Sequence, residues 1–377
     1  MISQRSNGLD TLRALAIALV YMYHYVFVSH ENTFGWAGSV GWVGVDLFFV
    51  LSGYLIGNQL FAGLVAQREV SLVRFYARRA LRTWPVFWVV LAAYFLFPTV
   101  MGGKPPAPLW KFLTFTQNYQ LQPGTAFSHA WSLCLEEQFY LVLPLVVLLA
   151  SKVGSRKIQA WSLLLSLMAL GIAARWVLWT QYGLESTGKI NGYYPNVYYA
   201  TFGRFDEFLP GIAVALIKNY HTLLWQRLML RGAALFGIGL AATFAGLYGA
   251  IRHYYIDDYG YPFFMSVFGY SCVAAAFSLL VASALSPHSP LHRVKIPGAY
   301  TLALWSYSIY LTHKPVGFIV KTYLEPYAVS QPVLAVVVAV TSIGVGALLY
   351  RWVELPIMQL RDRDVPSLFR PAPATAG

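Results

Sequence analysis

Ten apolar runs of about twenty residues follow one another along the chain, and they leave open one kind of fold. They fall near 9–29, 40–66, 84–103, 131–150, 160–182, 198–217, 230–250, 262–285, 300–320 and 331–350. At about 1.5 Å of rise per residue, a helix of that length crosses about 30 Å of hydrocarbon. A bilayer offers the backbone no water, so each spanning segment has to satisfy its own N–H and C=O groups as a helix. The sequence therefore predicts an all-α polytopic membrane protein, with about ten transmembrane helices in one domain over residues 1–360. Residues 361–377 ("RDRDVPSLFRPAPATAG") read as a disordered cytoplasmic tail. Charged residues are 11% of the 377, which excludes an ordinary soluble domain.

The net charge of +12 has a topological meaning rather than a nucleic-acid one, because the basic residues sit between apolar runs and not along a soluble face. With the N-terminus in the cytoplasm, eighteen lysines and arginines outside the runs fall on the inner side and five on the outer. That asymmetry predicts a multi-pass protein of the cytoplasmic (inner) membrane with both termini inside. The first run is too long and aromatic for a signal-peptide core and has no small-residue cleavage site, so it is expected to be a retained helix. The two cysteines, Cys134 and Cys272, offer neither a disulfide framework nor zinc spacing, and no metal is expected. No internal repeat of the transporter kind is visible.

Titratable groups inside the runs point to function, since hydrocarbon makes them costly. Arg13 and His24 lie eleven residues apart in the first run, on nearly one helix face and about 16 Å apart along it. Counted by depth, His24, Asp46, Glu136, Glu137, Arg204, Asp206, Glu207 and His313 share the outer half of the membrane, which predicts one polar intramembrane cavity. On the inner side "RFYARRALRTWP" supplies Arg78, Arg79 and Arg82, with 78 and 82 one turn apart. Guanidinium forks suit phosphate oxygens.

These stretches resemble the acyltransferase-3 family of integral membrane acyltransferases. "LDTLRALAIALVYMYH" is similar to its Arg-X10-His motif, here Arg13 and His24. "GWVGVDLFFVLSGYLIG", "RFYARRALRTWP", "WSLCLEEQFYLVLP", "RFDEFLPGIAVAL" and "SYSIYLTH" follow in the family's order, and "RWVELP" (Glu354, Pro356) resembles its closing motif. The likeness runs from residue 9 to about 360, without the extracytoplasmic esterase-type domain of some relatives. It implies transfer of an acyl group, commonly acetyl from acetyl-CoA, to a hydroxyl of a cell-surface polysaccharide or lipid-linked glycan such as lipopolysaccharide.

The expected roles follow. His24 is the general base on the acceptor hydroxyl, since a neutral imidazole titrates in the right range. Glu136 or Glu137 orients His24 or binds the acceptor, and Asp46 either joins the site or pairs with an arginine. Arg13, Arg78, Arg79 and Arg82 hold acyl-CoA; Arg204, Asp206 and His313 face the acceptor, although Arg204 and Asp206 also read as a buried ion pair. Direct transfer and an acyl-histidine intermediate both fit. Two other functions use similar residues: O-acylation of a small lipophilic molecule such as an antibiotic, and a proton-coupled transporter or flippase. The sequence leaves the oligomeric state open.

Overall fold

The computed structural model describes residues 6–150 and 156–369. Arg5, Lys152 and Arg370, three of the eighteen cations expected on the inner side, and residues 371–377 of the expected tail lie outside them. The described residues form an all-α bundle. Seven helices are long and apolar enough to cross a membrane: Asn7–Ser29, Val43–Val65, Ser128–Ala150, Lys157–Tyr182, Gly232–Arg252, Met265–Ala284 and Gln331–Asp364. Outward-facing apolar side chains such as Leu145 and Leu149, or Val336 and Val340, are exposed along their helices, as lipid-facing residues should be. This is a multi-pass membrane protein.

The principal helices are α1 (Asn7–Ser29), α2 (Val43–Val65), α3 (Leu72–Leu96), α4 (Trp131–Ala150), α5 (Arg156–Tyr182), α6 (Leu209–Tyr220), α7 (Gly232–His253), α8 (Tyr270–Ala284), α9 (Ala299–Leu324), α10 (Gln331–Leu349) and α11 (Leu355–Asp364). α1 packs against α2 and α9, α9 against α10, and α2 against α6. α1 ends where His30 adopts the left-handed conformation and returns its N–H to the Val26 carbonyl. Ser71 caps α3 by accepting from the Arg74 N–H.

Three of the ten expected spans take another form. The run at 84–103 is the C-terminal half of α3, whose first half carries Arg74, Arg78, Arg79 and Arg82. The run at 300–320 lies within α9, where His313, Lys314 and Lys321 interrupt the apolar surface. The run at 198–217 is broken into an α-turn at Thr201–Arg204, a 3-10 turn at Phe205–Phe208, and α6. The break has a cause. Arg204, Asp206 and Glu207 are all fully buried, and a regular helix could not aim each at its own partner. Gly53 and Gly211 allow the broken segment to approach α2: a Cβ on Gly53 would strike the Phe208 carbonyl, and one on Gly211 the Val50 carbonyl.

The described part of the expected disordered tail is folded. α11 continues to Asp364, Leu368 is buried, and the Ser71 N–H donates to the Leu368 carbonyl at 3.0 Å. Arg78 bonds Asp362 at 2.6 Å and the Val365 carbonyl at 2.7 Å, while Arg68 lies over the Phe369 ring. A sequence poor in apolar residues is held here by cations of the α2–α3 turn and α3.

Candidate active site

Pro315 shapes one end of the site. It has no N–H for the Leu311 carbonyl one turn earlier in α9, and this carbonyl faces the bundle interior. The Nε2 of His129, from the 3-10 turn that leads into α4, reaches it at 3.3 Å. One turn of α9 then gathers three imidazoles. The ring of His24 lies 4.9 Å from that of His313 and 5.9 Å from that of His129, and the last two are 5.3 Å apart.

Hydrogen bonding fixes their tautomers. The Nδ1 of His313 faces two carbonyls, Tyr310 at 2.8 Å and Ile309 at 3.1 Å, so it carries the proton. Neutral His313 therefore accepts at Nε2, and the His24 Nδ1–H donates to it across 2.8 Å. Nε2 of His24 is left as a bare lone pair on a half-buried ring. His129 spends Nε2–H on Leu311, and its buried Nδ1 has no hydrogen-bond partner. No group of three or more His, Cys, Asp or Glu among the described residues is arranged to hold a metal ion.

His24 and His129 line a well of about 950 Å³, named the outer well after the orientation expected from the charge asymmetry and walled by Tyr23, Tyr94, Tyr198, Tyr199 and Trp42. A second well of about 630 Å³, named the inner well on the same expectation, holds Arg13, Ser52, Arg79, Arg82, Glu136 and Glu354. Val45 borders both wells. At the wall of the second well Ser132 and Tyr310 meet hydroxyl to hydroxyl at 2.6 Å, and Tyr310 donates onward at 2.5 Å to the carbonyl of His129, a residue of the first well. Beside the inner well lies a small cleft of about 120 Å³ lined by Arg78, Arg79, Arg82 and Arg361. The Arg13–His24 helix face thus runs from one well to the other.

An acyltransferase-3 model, described as an acyltransferase domain, matches residues 6–351. The chain belongs to the acyltransferase-3 family. It is 28% identical to the peptidoglycan O-acetyltransferase OatA of Listeria monocytogenes, over 93% of this chain and 55% of that protein. Against the O-acetyltransferase OatA of Staphylococcus aureus it is 25% identical, over 93% of this chain and 57% of the other. The chain spans about half the length of these curated relatives. No solved structure matches it.

Within this acyltransferase-3 fold the expected residues divide. His24 and His313 come together, and Arg13, Arg79 and Arg82 share the inner well. Glu136 does not reach His24: it accepts from Ser52 at 3.2 Å and Tyr140 at 3.1 Å, and all three line the 630 Å³ well. Arg79 lies over the same Tyr140 ring, 5.0 Å from its centroid. Glu137, about 100° further round α4, accepts from Thr83 at 2.7 Å and Trp84 at 3.0 Å and so ties α4 to α3. Arg78 is occupied by Asp362.

Asp46, Arg204 and Asp206 are fully buried and line neither well. Arg204 pairs with Asp46 and Glu207 inside a cage of Trp131, Tyr198 and Tyr270, the last ring 4.0 Å from the guanidinium carbon. Asp206 pairs with Arg175 of α5, not with Arg204, and accepts from Ser271 at 2.6 Å. These charges lock α2, α5, α8 and the broken segment together. His129, Lys314 and Arg361 are site-lining residues that sequence reasoning passed over. The signal for His129 was present: it stands just before "WSLCLEE", and Pro315 guarantees an unserved carbonyl in α9.

Proposed function

We propose that the protein transfers an acetyl group from acetyl-CoA to a hydroxyl of a cell-surface glycan of the peptidoglycan kind, with His24 as general base. The observation that carries this reading is the directed chain from the α9 carbonyls through His313 to His24, which leaves His24 Nε2 able only to accept a proton. The names of the related O-acetyltransferases support the glycan acceptor. In this reading all ten runs lie in the membrane, α3, α9 and the broken segment included, with the arginine-rich end in the cytoplasm and the histidines toward the outside.

The donor enters the inner well with its phosphates on Arg79, Arg82 and Arg361, and its acylated arm reaches the histidines where Tyr310 and Ser132 part. His24 Nε2 takes the proton of the acceptor hydroxyl as that oxygen attacks the thioester carbon. The tetrahedral intermediate collapses with loss of the C–S bond, and the departing thiolate takes the proton back from the imidazolium. His313 holds the His24 ring through Nδ1–H and shares the positive charge while it lasts, the part played by a carboxylate in other triads.

The test uses purified protein in vesicles loaded with radiolabelled acetyl-CoA, with glycan strands outside. Alkali-labile label on the glycan is the expected result; movement of a solute without consumption of acetyl-CoA would instead establish a transporter. The donor site has its own check. Arg82→Ala should raise the KM for acetyl-CoA roughly ten- to a hundredfold while leaving that for the acceptor in place, the effect of one lost charge-assisted bond of about 1.5–3 kcal/mol. Arg82→Lys should recover part of it, since a lysine has no fork. Unchanged acetyl-CoA binding in Arg82→Ala would leave the inner arginines a topological signal alone.

A further inference from the structure

The outer well carries more positive charge than proton transfer at His24 requires. Lys104, Lys314 and Lys321 line it, and Glu325 is the one carboxylate among its lining residues. None of the three lysines has an ion-pair or hydrogen-bond partner among the described residues. Lys314 follows His313 in α9, its ammonium 5.6 Å from the centre of the Phe27 ring and within electrostatic reach of all three imidazoles. Lys104, from the loop before α4, is near enough for the two cations to repel each other. Two ammonium groups facing one half-enclosed well, with no acid between them, are relieved by an anion that lies there.

We infer that the outer well receives an anionic saccharide, its carboxylate or phosphate held by Lys314 and Lys104 and its sugar rings laid against the tyrosine and tryptophan wall. This rests on the acyl-transfer reading above and names the class of acceptor that reading leaves open. The volume, at the upper end of the range of ligand pockets of about 300–1,000 Å³, admits more than one sugar unit. An anion on Lys314 would set a neighbouring hydroxyl beside His24.

Calorimetry on the purified 377-residue chain, without donor, tests it with three oligosaccharides of one length: neutral N-acetylglucosamine units, the same with alternating glucuronate, and the neutral form phosphorylated at its reducing end. At least one charged form should bind about tenfold or more tighter than the neutral one, and the better of the two identifies the anion as carboxylate or phosphate. Lys314→Met and, separately, the exposed Lys104→Met should remove most of that advantage and leave neutral binding unchanged. Equal affinities for all three, or an advantage that survives both variants, overturns the inference. So does a Lys314→Met enzyme slowed equally on charged and neutral acceptors at unchanged KM, because the lysine would then serve the oxyanion. Lysine-dependent binding of the charged sugar with no acetyl transfer would sink the acyl-transfer reading and leave the anionic-saccharide site standing.

Discussion

His24→Gln is expected to remain inserted, to bind acetyl-CoA like the parent, and to lose transfer by about 10²–10⁴-fold. Glutamine keeps a side chain that can donate to His313 Nε2, so a histidine used only to hold α1 against α9 would tolerate the change. It has no group that can take a proton near neutral pH, so a general base would not. His313 supplies a graded control. His313→Gln retains an amide oxygen that can accept the His24 Nδ1–H, and it should keep more activity than His313→Leu, which leaves that donor unserved. The losses should fall on kcat rather than on the KM for donor. Turnover of His24→Gln close to the parent, at matched expression, would return His24 to a packing role.

Arg204→Met should be the most damaging substitution for stability. It leaves Asp46 and Glu207 buried without their guanidinium, a loss of about 3–5 kcal/mol, and the unfolding midpoint in detergent should drop on the order of 10 °C. Neutralising the two carboxylates in the same chain (Arg204→Met with Asp46→Asn and Glu207→Gln) should restore much of the loss, since the cost lies in the stranded charges. An acceptor-binding role for Arg204 makes the opposite forecast: a folded, thermally unchanged Arg204→Met protein with weakened acceptor binding.

The helical bundle was legible because twenty-residue apolar runs have one solution in a bilayer. Position along a run was legible too: Arg13 and His24, eleven residues apart, line different wells. Direction around the axis was not. Glu136 or Glu137 was expected by level to orient His24 or bind the acceptor, yet the Glu136 side chain turns to Ser52 and Tyr140 and that of Glu137 to Thr83 and Trp84. Asp46 and Arg204 share a level because they pair with each other, and Asp206 pairs with Arg175; buried ion pairs look in sequence like a wet cavity. The break at 201–208 was hidden for the same reason, since hydropathy averages over charges that are cancelled by partners elsewhere in the chain. His313 was visible as a residue but not as the base's companion. That role depends on a proton count at two carbonyls, which no spacing encodes. The folded stretch 361–369 was missed because its stabilising partners, Arg78 and Ser71, lie almost three hundred residues upstream.

The contact of Ser132 with Tyr310 has an electrical consequence. If the wells open to opposite sides of the membrane, as proposed above, the voltage across it would drop mainly over the few side chains between them rather than over the full thickness of the bilayer. Carrying one elementary charge through that narrow region involves about 2.3 kcal/mol per 100 mV. In the acyl-transfer reading proposed above, an acetyl group bound as a thioester would carry no charge, the phosphates of its carrier would stay with the arginines, and the imidazolium would form and be discharged at the histidines. The acetyl group would then cross the steepest part of the field without electrical work, and the expected transfer rate is independent of membrane potential.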